Sequence, residues 1–249
     1  MADNWKFYFC KVNDSLASIF VNVALRCDVP IGSKPWLLWV WVYFQSPRPD
    51  GLSDGKEAPT LFKIEESLTA EISKQCGGIA CGRITTEGRR EFYFYGETKD
   101  ALRDAVTTAM RGFHEYKFEM GEQEDSLWEQ YLNVLYPSPQ EFERIKNREV
   151  LDVLAEHGDV PGASRDVQHW MYFKTRNSRA LFKEAVVREG YRIESESDLE
   201  DGELPFGISV IRNQSVEQDS IDTTVGELVK LTEQFDGEYD GWETQVVMQ

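Results

Sequence analysis

Near the C-terminus, Asp236, Glu238 and Asp240 recur at every second position, and Gly241 follows at once. Carboxylates at that spacing open a calcium-binding loop, but such a loop needs a bidentate carboxylate at its twelfth position. Counted from Asp236, that position is Val247, and Glu238 stands where Asp or Asn is usual. The stretch therefore does not build a calcium site. Its glycines have backbone uses instead: Gly237 suits the left-handed cap of a preceding helix, and Asp240-Gly241 suits a bulge in a strand. Trp242 is left as a large apolar ring among carboxylates, which fits an anchor on a protein-binding edge. It is expected to be partly exposed, with Phe235 packed in a core and Asp240 and Glu243 facing solvent. Glu238, Tyr239, Asp240, Trp242 and Glu243 would then form one partner-facing rim with Glu196, Asp198, Glu200 and Asp201 of the acidic loop Glu194 to Glu203.

Other constellations carry less chemistry. The stretch CGGIACG places Cys76 and Cys81 with four residues between them, without a second pair or a nearby histidine, and zinc requires further ligands. It also lacks the Lys-Ser/Thr of a phosphate loop. His114, His157 and His169 have no triad-like or metal-like company, so no catalytic, cofactor or metal residues are assigned and the chain is read as a non-enzyme. The run GRREFYFYG, with Trp39, Trp41 and Tyr43 on an earlier strand, is a loose echo of an RNA-stacking surface. It departs from the glycine and aromatic order of that signature.

Composition bounds the rest. In 249 residues the formal net charge is −17, and residues 141–249 carry 24 Asp and Glu against 12 Lys and Arg. Such a field repels phosphate backbones and favours a basic protein partner. An acidic immunity-type protein that neutralises a basic toxin would share these features. The longest apolar run, Trp36 to Phe44, is far shorter than the roughly 20 residues a spanning helix needs, and MADNWKFYFC lacks the pattern of a secretory signal. A cytoplasmic, membrane-free chain with reduced cysteines is the expectation.

These residues must be positioned by elements, and the element order repeats. Leu37–Phe44 alternates as a strand. Thr60 can cap a helix facing inward through Leu61, Ile64, Leu68 and Ile72. Strands over 79–85 and 90–95 flank the turn Thr86-Glu87-Gly88. Thr98 can cap a second helix, and 114–119 reads as a further strand. The later half gives a strand at Gln168–Phe173, then a helix at Ser178–Glu189 with Leu181, Phe182, Ala185 and Val186 inward. Strands at 191–194 and 206–212 follow, with the acidic loop between them. A helix through Ile221, Val225, Leu228 and Phe235 leads to a last strand from Glu238. Both halves are β-α-β-β-α-β, so the predicted class is α+β: two ferredoxin-like domains, each an antiparallel sheet with helices on one face. A hairpin around Asn13-Asp14 precedes them. Ser138-Pro139-Gln140-Glu141 can start a helix inside a linking segment. The expected division is 1–125, a helical linker 126–146, and 147–249.

From about Asn147 to Val246 the chain resembles the RraB family, protein inhibitors of ribonuclease E. The likeness rests on VLDVLAEHGD, VQHWMYF, EGYRIES and above all FDGEYDGWET. Residues from about Trp5 to Glu122 are similar to domain-of-unknown-function family 695, through SIFVNVAL, IEESL and GRITTEGRREFYFY. The first resemblance implies a non-enzymatic, bacterial regulator of RNA turnover whose partner is a ribonuclease or degradosome component. The second implies no activity.

Overall fold

A computed structural model describes residues 3–12 and 14–248. The chain divides into two units, Met1–Ser138 and Pro139–Gln249.

In the first unit the strands are β1 (Trp5–Val12), β2 (Ser15–Asn22), β3 (Trp36–Tyr43), β4 (Ile79–Thr86), β5 (Arg89–Gly96) and β6 (Phe118–Glu124). Helix α1 (Ala58–Cys76) joins β3 to β4, and α2 (Lys99–Met110) joins β5 to β6. The sheet runs β1-β2-β4-β5-β3-β6 with every neighbour antiparallel. Without the leading hairpin this is the ferredoxin-like order. Asn13 of that hairpin's turn lies outside the described residues. Leu61, Ile64, Leu68 and Ile72 of α1 and Leu102, Ala105 and Val106 of α2 bury against Leu38, Val40, Val42, Phe92 and Phe94, as helical and strand periodicities require.

Two expectations for this unit are corrected. Helix α1 starts before Thr60, because Asp54 Oδ1 accepts from the backbone N–H groups of Lys56 and Glu57 at 3.0 and 2.7 Å and Pro59 suits the first turn. The last strand is not 114–119 but β6, which pairs Val42 with Phe118 and Trp36 with Glu124. On the sheet face opposite the helices, Trp128 stacks on Tyr95 with ring centroids 3.8 Å apart. Its indole N–H donates to Lys34 O at 3.1 Å. That cover takes one end of the aromatic surface that echoed RNA stacking.

In the second unit, α3 (Pro139–Glu156) starts at the proline that favours a first helical position. Then come β7 (Arg165–Phe173), α4 (Arg176–Arg188), β8 (Arg192–Asp198), β9 (Phe206–Gln214), α5 (Gln218–Glu233) and β10 (Gly237–Thr244). Sheet order β10-β7-β9-β8, again antiparallel, repeats the arrangement of the first unit's four core strands. The two-unit α+β class read from the sequence is the observed one. Met171, Phe173, Phe182, Val186, Val210 and Leu228 form one part of the core, and Val167, Ile221, Val225 and Trp242 belong to the other. Leu181, expected to face inward, is exposed: α4 spends only Phe182 and Val186 of its stripe on full burial. The first half of the supposed acidic loop is β8, because Ser195, Glu196, Ser197 and Asp198 pair with β9.

Candidate protein-binding site

The closing motif shows how neighbouring residues of similar polarity are sent to opposite faces. Helix α5 ends at Glu233, and the chain reverses through Asp236, which has φ 54°. The left-handed residue is thus Asp236, not Gly237 as expected. An aspartate tolerates this conformation. Gly237 is needed for space: a Cβ there would stand 2.5 Å from the Phe173 ring and 2.9 Å from Thr232 Cγ2. Phe235 packs against the core beside Phe182.

Along β10, Glu238 pairs with Tyr172 and Tyr239 with Met171, and then the register shifts so that Gly241 pairs with Trp170 and Trp242 with His169. The bulge expected at Asp240-Gly241 is present. It sends Trp242 to the helix side, because an extra residue inverts the alternation beyond it. Trp242 is only 7% exposed, so the expectation of a partly exposed ring is corrected. Its indole N–H donates to Asn147 Oδ1 at 2.8 Å, and Asn147 Nδ2 donates to Asp222 Oδ1 at 2.8 Å. Within the motif, Trp242 therefore acts as a clasp joining β10 to α3 and α5. Tyr239 is half-buried, and its hydroxyl lies 2.9 Å from Nδ1 of the fully buried His169.

The carboxylates of the motif remain outside: Glu238, Asp240 and Glu243 are exposed. The aromatic rings nearest to them in the sheet are on β7, where Trp170 and Tyr172 alternate with the buried His169, Met171 and Phe173 and are half-buried themselves. Gly207 lies opposite Tyr172, and a Cβ there would meet its ring at 3.0 Å. Tyr172, not Trp242, is the aromatic side chain among the carboxylates. The period-two alternation in QHWMYF was the signal for it.

The acidic loop divides in two. Glu196 and Asp198 lean toward α4: Arg179 Nε is 3.3 Å from Glu196 Oε2, Arg179 Nη1 is 2.9 Å from Asp198 Oδ1, and Lys183 also pairs with Glu196. The hydrogen bond from Lys183, followed by the nearby charges, holds the Glu196 carboxyl below its ordinary value. Past β8, Leu199 N donates to Pro205 O at 2.8 Å and closes the loop 199–205. Glu200 and Asp201 are exposed on it. The loop brings Glu203 to Glu238 and Asp240 of β10 around a cavity of about 490 Å³, whose remaining walls include Tyr172, Leu199 and Leu204. Glu238, Tyr239 and Asp240 are thus brought to the acidic loop, but they meet it at Glu203. Glu196 and Asp198 are engaged elsewhere. Glu203, Leu199, Leu204 and Tyr172 were not foreseen, because a loop's return across a sheet leaves no periodic trace.

The other candidate chemistries are not assembled. Cys81 is fully buried, its thiol donates to Tyr93 O at 3.3 Å, and burial pushes its pKa up. His114 is exposed. Cys10, Cys27, Cys76 and Cys81 carry free thiols. Among the described residues no group of three or more His, Cys, Asp or Glu side chains could hold a metal ion, and no helix is long and apolar enough to cross a membrane.

Fold and site together define a two-unit α+β protein whose second, ferredoxin-like unit presents acidic side chains beside half-buried aromatic ones. Residues 3–136 match the family of unknown function DUF695, and residues 144–244 match the family Regulator of ribonuclease activity B. The chain belongs to both families, one in each half. Regulator of ribonuclease activity B from Escherichia coli (strain K12) is 31% identical over 112 residues, covering 43% of this chain and 80% of that protein. Its namesake from Pantoea ananatis (strain LMG 20103) is 30% identical over 108 residues, covering 42% and 76%. That from Psychromonas ingrahamii (strain DSM 17664 / CCUG 51855 / 37) is 27% identical over 105 residues, covering 41% and 85%.

Proposed function

We propose that the chain is a non-enzymatic regulator of ribonuclease activity that acts by binding a basic protein partner through the second unit. The partner class implied by the resemblance is ribonuclease E or an associated degradosome protein. The observation that carries this reading is the meeting of Glu203 with Glu238 and Asp240 beside Tyr172. Converging carboxylates repel one another, and a cationic partner relieves that repulsion while steering its own approach. Glu243, Glu200 and Asp201 extend the negative surface, and Glu196 and Asp198 contribute less because α4 already pairs them. Trp242 and Tyr239 support the site by fixing the course of β10.

The test is direct. The full 249-residue chain is titrated with purified ribonuclease E at two salt concentrations, and cleavage of a model RNA is followed in parallel. Saturable binding that weakens with salt and slows cleavage is expected. An absence of binding at low salt would sink the regulatory reading.

A further inference from the structure

We infer that the cavity between loop 199–205 and β10 is a socket for one arginine side chain of the partner. This deepens the reading under Proposed function and rests on it for the partner's identity. The walls divide by chemistry: Leu199, Leu204 and the Tyr172 ring are apolar or aromatic, while Glu203, Glu238 and Asp240 supply three carboxylates. Leu199 is 49% exposed, an apolar side chain left at the rim of a charged opening. An aliphatic stem ending in a cation matches both halves of such a wall. At about 490 Å³ the space lies within the range of pockets that seat a small ligand.

Among the described residues no ion pair engages Glu203, Glu238 or Asp240, whereas Glu196 and Asp198 are paired. Arg176 and Arg179 of α4 are turned to Asp198 and to the face of Phe206, at 5.5 and 5.7 Å from its ring centroid. No Lys or Arg is among the lining residues. A guanidinium fits better than an ammonium for two reasons. It is more weakly hydrated and so costs less to bring against Leu199 and Leu204, and its planar fork can bridge two carboxylates while stacking on an aromatic ring. Tyr172 offers such a ring, held in place against Gly207, where any Cβ would push it aside. Gly207 thus leaves room for the Tyr172 ring that lines one wall, and the loop closed through Leu199 and Pro205 supplies the other.

Two measurements on the full chain test this. In the first, L-argininamide is titrated into ¹⁵N-labelled protein, with L-citrullinamide as the neutral isostere. Shifts are expected to concentrate on the amides of Glu203, Glu238 and Asp240 with argininamide and to be absent with citrullinamide. Equal shifts from both compounds, or shifts centred on Glu194 to Glu196 instead, would overturn the socket. In the second, a Glu203→Gln/Glu238→Gln/Asp240→Asn variant is compared with Glu189→Gln/Glu227→Gln/Glu233→Gln, which removes as many exposed charges outside the cavity. Loss of ribonuclease E affinity by about tenfold or more in the first variant, against less than about threefold in the second, is the expected result. Equal losses in the two variants, with wild-type binding intact, count against the socket. If the wild-type chain does not bind the ribonuclease, the regulatory reading falls, and the argininamide titration alone decides the socket.

Discussion

The indole N–H of Trp242 donates to Oδ1 of Asn147 at 2.8 Å, a bond that spans 95 residues and ties the last strand to the first helix of its unit. The partner amide is then held by Asp222, so three elements share one small polar clasp inside an apolar layer. Trp242→Ala is expected to destabilise the second unit by about 3–5 kcal/mol, through the cavity and the stranded Asn147. Trp242→Phe keeps most of the volume and loses the bond, for about 1–3 kcal/mol. Urea unfolding measures both. An alanine variant with an unchanged midpoint would mean that the ring is exposed in solution.

The turn into β10 gives an asymmetric prediction for two adjacent positions. Gly237→Ala forces a methyl into the Phe173 ring and is expected to cost about 1–3 kcal/mol. Asp236→Gly places glycine where φ is already positive, so stability is expected to hold or to rise by up to about 1 kcal/mol. Thermal melts should fall for the Gly237 variant and stay level or rise for the Asp236 variant. A larger loss in the Asp236 variant would reverse the assignment of the helix-ending residue.

His169 makes a pH prediction. It is fully buried, and burial first and the charge of Arg212 second lower its pKa to about 3. In the unfolded chain a histidine titrates near 6.5. Between those values the unfolded state binds the additional proton, so this residue makes stability fall as pH drops below about 6.5. The slope it contributes is up to about 1.4 kcal/mol per pH unit. In the His169→Gln variant that part of the slope should be missing between pH 6 and 4, read from denaturant midpoints across the range. Proton NMR of the wild type should also show an imidazole that does not titrate between pH 5 and 8.

Asp159 and Arg165 form a buried ion pair, with side chains 0% and 5% exposed. Asp159 Oδ1 also accepts Val247 N at 2.8 Å, and Arg165 Nη1 donates to Gln245 O at 3.2 Å, so the pair fastens the chain beyond β10. Burial opposes the charge of Asp159. The hydrogen bonds from Arg165 and Val247 outweigh it and hold the carboxyl below its ordinary value. Asp159→Asn leaves a buried guanidinium without its counter-charge and should cost about 3–5 kcal/mol at neutral pH. Because the folded pKa is depressed, this stabilisation is present above the unfolded value near 3.9 and is lost as pH falls through the folded one. The gap between wild type and variant should therefore narrow below about pH 4. A gap that is constant down to pH 2 would exclude the ionised pair as its source.

Much of the fold was legible because it is written in local periods. The apolar spacing of Leu61, Ile64, Leu68 and Ile72 and the alternation of Leu37 to Phe44 depend on 3.6 and 2 residues per turn of structure, and neighbours alone reveal them. The order β-α-β-β-α-β follows from such segments, and the observed strand order is the one that pattern commonly adopts. Element ends were less legible. Asp54 claimed the N-terminal N–H groups ahead of Thr60, and β9 recruited acidic residues into β8 that look like loop in isolation.

Composition and motif determined that the second half is acidic, that the closing stretch lacks a calcium anchor, and which families the chain resembles. Tertiary structure decided which acidic residues act together and which tryptophan is inside. Both decisions turn on non-local geometry. One extra residue at Asp240 inverts the alternation, so Trp242 enters the core while Glu238 stays outside. The loop that returns from β8 then sets Glu203, rather than Glu196 or Asp198, beside Glu238 and Asp240. A bulge shifts every later side chain to the other face, and a loop closes on whatever strand lies in its path. Neither outcome has a period that the sequence could display.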